Sequence, residues 1–417
     1  MFRKVAAEAK GSFSAFGARE ALFAAFFAGG FLMATWITRT PAIREGLGLS
    51  IAEMGLVFLG LSLGSIPSLI FAPVLIHRAG ARVMTLLGEA LMLFGVFLAA
   101  LPLALPMPLP GGVVTALGLG LVGFGSVFLD IAMNVAAGVI EARRGKPVLT
   151  TLHACFSFGE AVGAFFGFGC VYLAVSPMTH FLMAVGLMAL VFLLSTLRLS
   201  EVEALVRASG EEAQKKNGAV KPKLRITVGL IAAVIVVFVV ALCEGTANDW
   251  LPILLRESMN ASTSFAALAF AVFASGLAAV RFSGTFWLMR FGKRRVLMGS
   301  ALLALIGLLV IIFFKAPFFV MLGVVFWAAG AALGFPVALS AGAAMGEGDP
   351  AARMSLLSSA GYGAFLAGPP TLGFIGEEMG LSASFGLVAL LMLLPVVLAR
   401  RMTPAEGEVA HRVLERK

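Results

Sequence analysis

Long apolar runs recur along almost the whole chain, and they limit its fold more than any other feature of the sequence. The hydrocarbon core of a bilayer is about 30 Å thick, so a helix that crosses it needs about 20 mostly apolar residues. We find twelve such segments and predict that each is a membrane-spanning helix. They are spans 1 to 12: 21–40, 51–76, 83–105, 112–138, 149–174, 179–197, 226–248, 263–289, 296–314, 317–344, 354–376 and 381–399. The predicted fold class is an all-α polytopic membrane protein.

The composition agrees with this prediction and argues against other classes of protein. Of the 417 residues, 60% are hydrophobic and only 13% are charged, whereas soluble domains are about 25% charged. The net charge of +9 does not indicate nucleic-acid binding, because the basic residues lie in short segments between apolar runs. The three cysteines lie inside apolar runs and predict no disulfide framework. The segment 1–20 lacks the pattern of a cleaved signal peptide.

Charged residues divide the chain and predict its orientation. The one long charged segment, 198–225, separates an amino-terminal half (1–197, spans 1–6) from a carboxyl-terminal half (226–399, spans 7–12), and 400–417 form a tail. Of the 31 Lys and Arg residues, 26 lie in the two tails and the even-numbered connections. Because basic loops stay in the cytoplasm, we predict that both termini are cytoplasmic.

The two halves carry an internal repeat. The loop after span 2 reads HRAGAR and contains Gly80, and the loop after span 8 reads MRFGKRR and contains Gly292. The separation of these two glycines along the chain, which we call the repeat spacing, also relates Ser50 to Ser262 and the pair Ala132-Met133 to Ala344-Met345. Six-helix halves repeated in parallel orientation are typical of secondary transporters, whose binding site lies near the midplane between the halves.

The first of these loops resembles the cytoplasmic motif of the major facilitator superfamily, which reads Gly-x-Leu-x-Asp-Arg-x-Gly-x-Arg. Here it reads PVLIHRAGAR, in which Pro73 replaces the first glycine and His77 the aspartate. The stretches LDIAMNVAAGVIEARRG and CEGTANDW further resemble the fucose-permease-like group and its YbjJ-type branch. The resemblance implies twelve helices, alternating access and proton-driven transport, and it leaves the substrate open. It also implies a cytoplasmic gate motif in both halves, at Arg78, Gly80, Arg82, Arg290, Gly292 and Arg294. The aspartate that normally helps to latch this gate is missing.

Carboxylates inside the spans are the candidates for proton coupling, because intramembrane acids are costly and usually functional. Asp130 in span 4 is the first, and the resemblance implies the same role for a carboxylate in this span. Glu160 and His153 lie seven positions apart in span 5 and therefore share a helical face, where they either relay protons or pair with each other. Glu244 near the end of span 7 is the fourth candidate. The alternative for each is a structural carboxylate or histidine bonded to a neighbouring helix.

Other polar and aromatic residues are candidates for substrate binding. Trp36 and Arg39 lie three positions apart near the outer end of span 1; a membrane-interface position with Arg39 pointing outward is the alternative. Arg281 in span 8 is expected to pair with a carboxylate or carbonyl, whether for structure or for binding. The remaining candidates are Asn134, Asn248 and Trp327.

These features predict a secondary transporter of a small polar solute in the bacterial inner membrane. A sugar, a sugar acid and an organic anion fit equally, and proton symport is favoured over the alternative, a proton-coupled antiporter that exports an amphipathic compound. The expected partners are the solute, protons and the lipid bilayer, with no nucleic acid, and a single chain should suffice for transport. Because catalytic and metal-ligand motifs are missing from the sequence, we expect no enzymatic activity, cofactor or metal.

Single cysteines test the predicted orientation. In a cysteine-free background, a membrane-impermeant maleimide should label Lys315→Cys, between spans 9 and 10, in intact spheroplasts. It should label Asn217→Cys, between spans 6 and 7, only after lysis. The reverse pattern would show that the topology is inverted.

Overall fold

The computed structural model describes residues 15–144, 148–196, 203, 226–345 and 350–402, and the described chain is helical, with no strand in these ranges. The helices are α1 (Ala15–Ile37), α2 (Thr40–Leu47), α3 (Ile51–Ala100), α4 (Gly111–Arg144), α5 (Leu149–Tyr172), α6 (Pro177–Thr196), α7 (Val228–Met259), α8 (Thr263–Phe282), α9 (Gly284–Phe313), α10 (Pro317–Ala343), α11 (Pro350–Met379), α12 (Leu381–Leu391) and α13 (Leu393–Met402), with a 3-10 turn at Leu101–Leu103. The predicted all-α fold class is confirmed.

Eleven helical segments of the described chain are long and apolar enough to cross a membrane. They match spans 1 to 10 and span 12. Span 11 is also helical and forms the 30-residue helix α11, but its serines and the pair Pro369-Pro370 make it less apolar. Of the predicted linker 198–225, only Glu203 is described, and of the predicted tail 400–417, only 400–402. The half and tail boundaries therefore stay predictions.

The end of span 8 differs from the prediction. The sequence predicts a span over 263–289, whereas α8 ends at Phe282 and α9 begins at Gly284. Between them, the Ser283 hydroxyl lies 3.1 Å from the carbonyl oxygens of Ala279 and Val280. A serine hydroxyl that bonds the preceding turn competes with the helical backbone bonds, which is a local reason for the break.

The repeat is visible in the backbone. Helix α3 is broken at Gly80 (φ 87°, ψ 168°), and α9 is broken at Gly292 (φ 73°, ψ 160°). Both glycines occupy a region of backbone conformation that side chains with a Cβ rarely adopt. Ser50 and Ser262, at the same repeat spacing, both cap helices: their hydroxyls accept the backbone N–H groups of Glu53 and Phe265, each at 3.1 Å. The carboxylate of Glu53 also accepts the Ser50 N–H at 2.8 Å, which completes the capping box.

Two helix pairs provide most of the contact between the halves. The part of α3 before Gly80 packs on α11, and α5 packs on α8. Gly55 of α3 makes the first approach possible, because a Cβ there would lie 2.7 Å from the carbonyl oxygen of Pro369 and 3.3 Å from the Cα of Gly373. The halves are therefore joined mainly along these two lines of helix packing.

Replacing Gly292 by alanine tests the break in α9. We expect Gly292→Ala to cost about 1–3 kcal/mol, because alanine is strained at positive φ, and to lower the apparent Tm of the detergent-purified protein. Gly299→Ala in the same helix is the matched control. Gly299 has no neighbouring atom within 4 Å of an added Cβ and should tolerate alanine. Equal Tm values for the two variants would show that the break is not required.

Candidate functional site

Arg281 of α8 links three other helices near the middle of the bundle. Its Nη2 donates to Oε1 of Glu244 in α7 at 2.7 Å, and its Nη1 donates to the Ser157 hydroxyl in α5 at 3.1 Å. Its Nε donates to the carbonyl oxygen of Ala332 in α10 at 3.2 Å. Because Ser157 belongs to the amino-terminal half, the guanidinium joins the two halves.

Prolines provide carbonyl acceptors at this level of the bundle. Proline lacks an N–H, so it leaves the carbonyl four residues earlier without its helical bond. Pro336 frees the carbonyl of Ala332, which accepts from Arg281. Pro369 likewise frees the carbonyl of Phe365, which accepts the Ser62 hydroxyl across the halves at 2.8 Å. The sequence predicts kinks at these prolines, and their use as acceptors is an additional finding.

Glu160 of α5 completes what we call the central ion group: Ser157, Glu160, Glu244 and Arg281. Arg281 attracts the Glu160 carboxylate electrostatically, and Glu244 repels it. One guanidinium thus faces two carboxylates, one from each half. A proton or another cation is needed to neutralise the second carboxylate in a site where isolated charges are costly.

Asp130 of α4 lies in a second cluster. Its carboxylate interacts electrostatically with His153 of α5 and with Tyr362 of α11, and the Asn134 side chain lies one turn further along α4. The buried Oδ1 of Asn134 has no hydrogen-bond partner among the described residues. The cluster therefore places a carboxylate and an unsatisfied amide oxygen where the halves face each other.

His153 and Glu160 do not pair with each other in the described structure. Their separation in sequence corresponds to about 10 Å along a helix. The ring of His153 packs edge-on against Phe26, with centroids 5.6 Å apart, and interacts with Asp130, whereas Glu160 lies with Arg281. The two predicted proton-coupling residues of α5 thus serve different clusters.

Trp36 and Arg39 are packed inside the amino-terminal half. Arg39 is 4% exposed and donates to Nδ1 of His180 at 2.9 Å and to the carbonyl of Val175 at 2.8 Å. Trp36 is 5% exposed and stacks on Phe181, with centroids 6.4 Å apart. Arg39 therefore does not point outward, and neither residue lies with the central ion group. A substrate-binding role for them stays a prediction.

Trp327 and Asn248 lie in the carboxyl-terminal half. Trp327 is fully buried, its Nε1 donates to Sγ of Cys243 at 3.1 Å, and its ring packs on Phe273 and Phe385. Asn248 is partly buried one turn beyond Glu244. A direct role in binding stays a prediction for both.

The cytoplasmic motif has a carboxylate partner that the sequence analysis missed. Glu203, from the predicted linker, accepts the backbone N–H of Arg82 through Oε2 at 3.0 Å. Its carboxylate occupies the space beside Gly80, where any Cβ would collide with it. In the other half, Nζ of Lys293 donates to the Ser340 hydroxyl at 2.9 Å. No ion pair between described residues involves the motif arginines Arg78, Arg82, Arg290 and Arg294.

Comparison with known proteins identifies the family. Residues 233–417 match the family model described as Major Facilitator Superfamily. An uncharacterised MFS-type transporter of Yersinia pestis is 29% identical over 379 residues, covering 91% of this chain and 94% of its own. An uncharacterised transporter of Sinorhizobium fredii, y4wD, is 30% identical over 381 residues, covering 90% of this chain and 96% of its own. The chain belongs to the major facilitator superfamily. It is thus a multi-pass membrane transporter, and the superfamily consists in general of carriers without enzymatic activity.

Solved structures of this superfamily share the fold. The nucleoside transporter NupG aligns with a TM-score of 0.69 and 13% identity, covering 93% of this chain and 100% of that one. A D-xylose-proton symporter aligns with a TM-score of 0.66 and 15% identity, covering 93% of this chain and 97% of that one. The E. coli fucose:proton symporter aligns with a TM-score of 0.55 and 16% identity, covering 93% of this chain and 98% of that one. The predicted superfamily is confirmed, and the finer branch within it stays a prediction.

Substitutions in the Arg281–Glu244 pair test the central ion group. We expect Glu244→Gln to lower stability by about 2–3 kcal/mol, less than for a fully buried pair, because the side chains of Arg281 and Glu244 are 26% and 16% exposed. Arg281→Gln should cost less, since a carboxylate left alone can take up a proton whereas a guanidinium cannot lose one. The double variant should recover most of the loss.

Thermal unfolding of the purified variants in detergent measures the relative stability losses of the two single variants and the double variant. Additive losses in the double variant would show that the two side chains are not coupled.

Proposed function

We propose that this MFS protein is a proton-coupled symporter that imports a small polar solute across the bacterial inner membrane by alternating access. The observation that supports it most is the central ion group, where Arg281 faces carboxylates from both halves. The proposed functional unit is one chain, because a single chain contains both halves.

Proton binding in this group can change how the halves are held together. With Glu160 and Glu244 both charged, Arg281 is attracted to both halves, and a proton on Glu160 removes one of these attractions. A ligand that binds one arrangement of the halves more tightly than the other shifts the equilibrium between them. A proton on Glu160 therefore favours an arrangement in which α5 and α8 are less tightly joined.

Asp130 supplies a second site for a proton in this proposal. It faces Tyr362 of the opposite half and lies with His153, so its charge also acts across the space between the halves. Asn134, whose Oδ1 has no hydrogen-bond partner among the described residues, is well placed to accept a hydrogen bond from a hydroxyl group of the solute. Asp130 and Asn134 together would bind a proton and a polar group side by side.

The charges of the central ion group indicate which kind of solute can bind beside it. Three of the five N–H donors of Arg281 bond to the protein, and its charge is already paired with Glu244, so an acidic solute would compete with that carboxylate for the cation. A neutral solute such as a sugar needs no such exchange. The names of two solved structures with this fold, a D-xylose-proton symporter and a fucose:proton symporter, agree with this proposal without testing it.

Proton uptake into proteoliposomes with an internal pH dye tests this function. An inward solute gradient from pools of sugars, sugar acids and organic acids should acidify the lumen with the wild type. Glu160→Gln and Asp130→Asn should reduce this acidification at least tenfold. The matched control is Glu89→Gln: Glu89 is buried between α3 and α6, accepts from Ser195 at 3.4 Å, and should transport normally.

Two results would overturn the symport proposal. Normal acidification in both Glu160→Gln and Asp130→Asn would remove these carboxylates from proton coupling. Proton movement opposite to the solute gradient would identify an antiporter instead.

A further inference from the structure

Four charged side chains join the halves on the predicted outer face. Nη1 of Arg44, in the short helix α2, lies 2.5 Å from Oε1 of Glu257 at the end of α7. Nη2 of Arg256 lies 2.8 Å from Oε1 of Glu45, and its Nε donates to the same oxygen at 3.2 Å. Each half thus contributes one arginine and one glutamate, and each arginine binds the glutamate of the other half.

The internal repeat explains this reciprocal pattern. The repeat spacing, which takes Gly80 to Gly292, also takes Arg44 to Arg256 and Glu45 to Glu257. In a two-fold arrangement, a contact from one half to the other is accompanied by its symmetric counterpart. The two ion pairs are therefore equivalent contacts, related to each other by the internal repeat.

Further contacts between the halves lie beneath the ion pairs. Oε2 of Glu377, at the end of α11, accepts the backbone N–H groups of Ile51 and Ala52 at 2.8 and 3.2 Å and so caps α3. Deeper, the rings of Phe58 and Trp250 meet edge-on, with centroids 5.2 Å apart, and Trp250 is fully buried. Trp250 thus packs between the halves and not at a membrane interface, where tryptophan is enriched in membrane proteins.

The opposite face differs. The hydrogen bonds and ion pairs found between described residues of the two halves lie on the outer face, at Ser62, or at Arg281. None of them joins the cytoplasmic ends within the described ranges. Within the described ranges, polar contacts between the halves therefore close the predicted outer face.

We infer that Arg44, Glu45, Arg256 and Glu257 form an outer latch, which must open once in each transport cycle. The inference rests on the proposed alternating access. Closure brings opposite charges together twice, so the latch stabilises the outward-closed arrangement. The four side chains are 16–47% exposed, so salt in the outer solution screens the latch and favours opening.

A cysteine beneath the latch reports its opening. Phe58→Cys, in a cysteine-free background, replaces a side chain that is 3% exposed and should react slowly with a membrane-impermeant maleimide added from outside. Arg44→Glu places two carboxylates opposite each other and should raise the labelling rate at least threefold. Arg44→Glu with Glu257→Arg restores the pair and should return the rate to within twofold of its starting value. Lys315→Glu, the same charge reversal elsewhere on the outer face, should leave the rate unchanged.

The dependence of the labelling rate on outer salt distinguishes a latch that opens during transport from a purely structural contact. Raising the outer salt concentration should accelerate labelling in the intact latch and have a smaller effect in Arg44→Glu. Labelling that is insensitive to Arg44→Glu, or that the double reversal fails to restore, would overturn the latch. Latch-dependent labelling with no solute transport would instead support the latch and count against the proposed symport.

Discussion

The lack of water inside the bilayer is the constraint on which the rest of this structure depends. Each backbone group and each charge at that depth needs a partner within the protein. The chain satisfies this by combining two elements that would be unfavourable alone. Pro336 leaves a carbonyl without its helical bond, and Arg281 brings a cation into the bundle, where its side chain is only 26% exposed. Their meeting at Ala332 satisfies both, and the remaining donors reach Glu244 and Ser157.

This solution also connects structure to transport. A guanidinium that is bonded to both halves cannot remain fully bonded when the halves separate. In the proposed cycle, the guanidinium therefore exchanges acceptors, and a carboxylate, a hydroxyl or a bound solute can each accept a hydrogen bond that has been released.

The sequence predicts the helices well because each span has to be long and apolar on its own, whatever surrounds it. The repeat is equally local, and Gly80 and Gly292 confirm it. Partners across the fold are harder, because a helical period shows which residues share a face and not which helix that face meets. The contact of Arg39 with His180 and that of Glu203 with the loop at Gly80 could not be predicted for this reason. The repeat spacing relates Arg44-Glu45 to Arg256-Glu257 in the sequence, but only the fold shows that they pair with each other.

The repeat is not followed everywhere, and the cap on α3 shows a departure. Glu377 of α11 binds the first N–H groups of α3, whereas the described residues of α5 provide no such bond to α8, which Ser262 of its own half caps. Within the described ranges, one of the two seams between the halves is thus fastened by a carboxylate at its outer end. In the proposed cycle, opening of the outer face takes two hydrogen bonds from the first turn of α3, so the start of this helix is better capped in the outward-closed state than in the outward-open one.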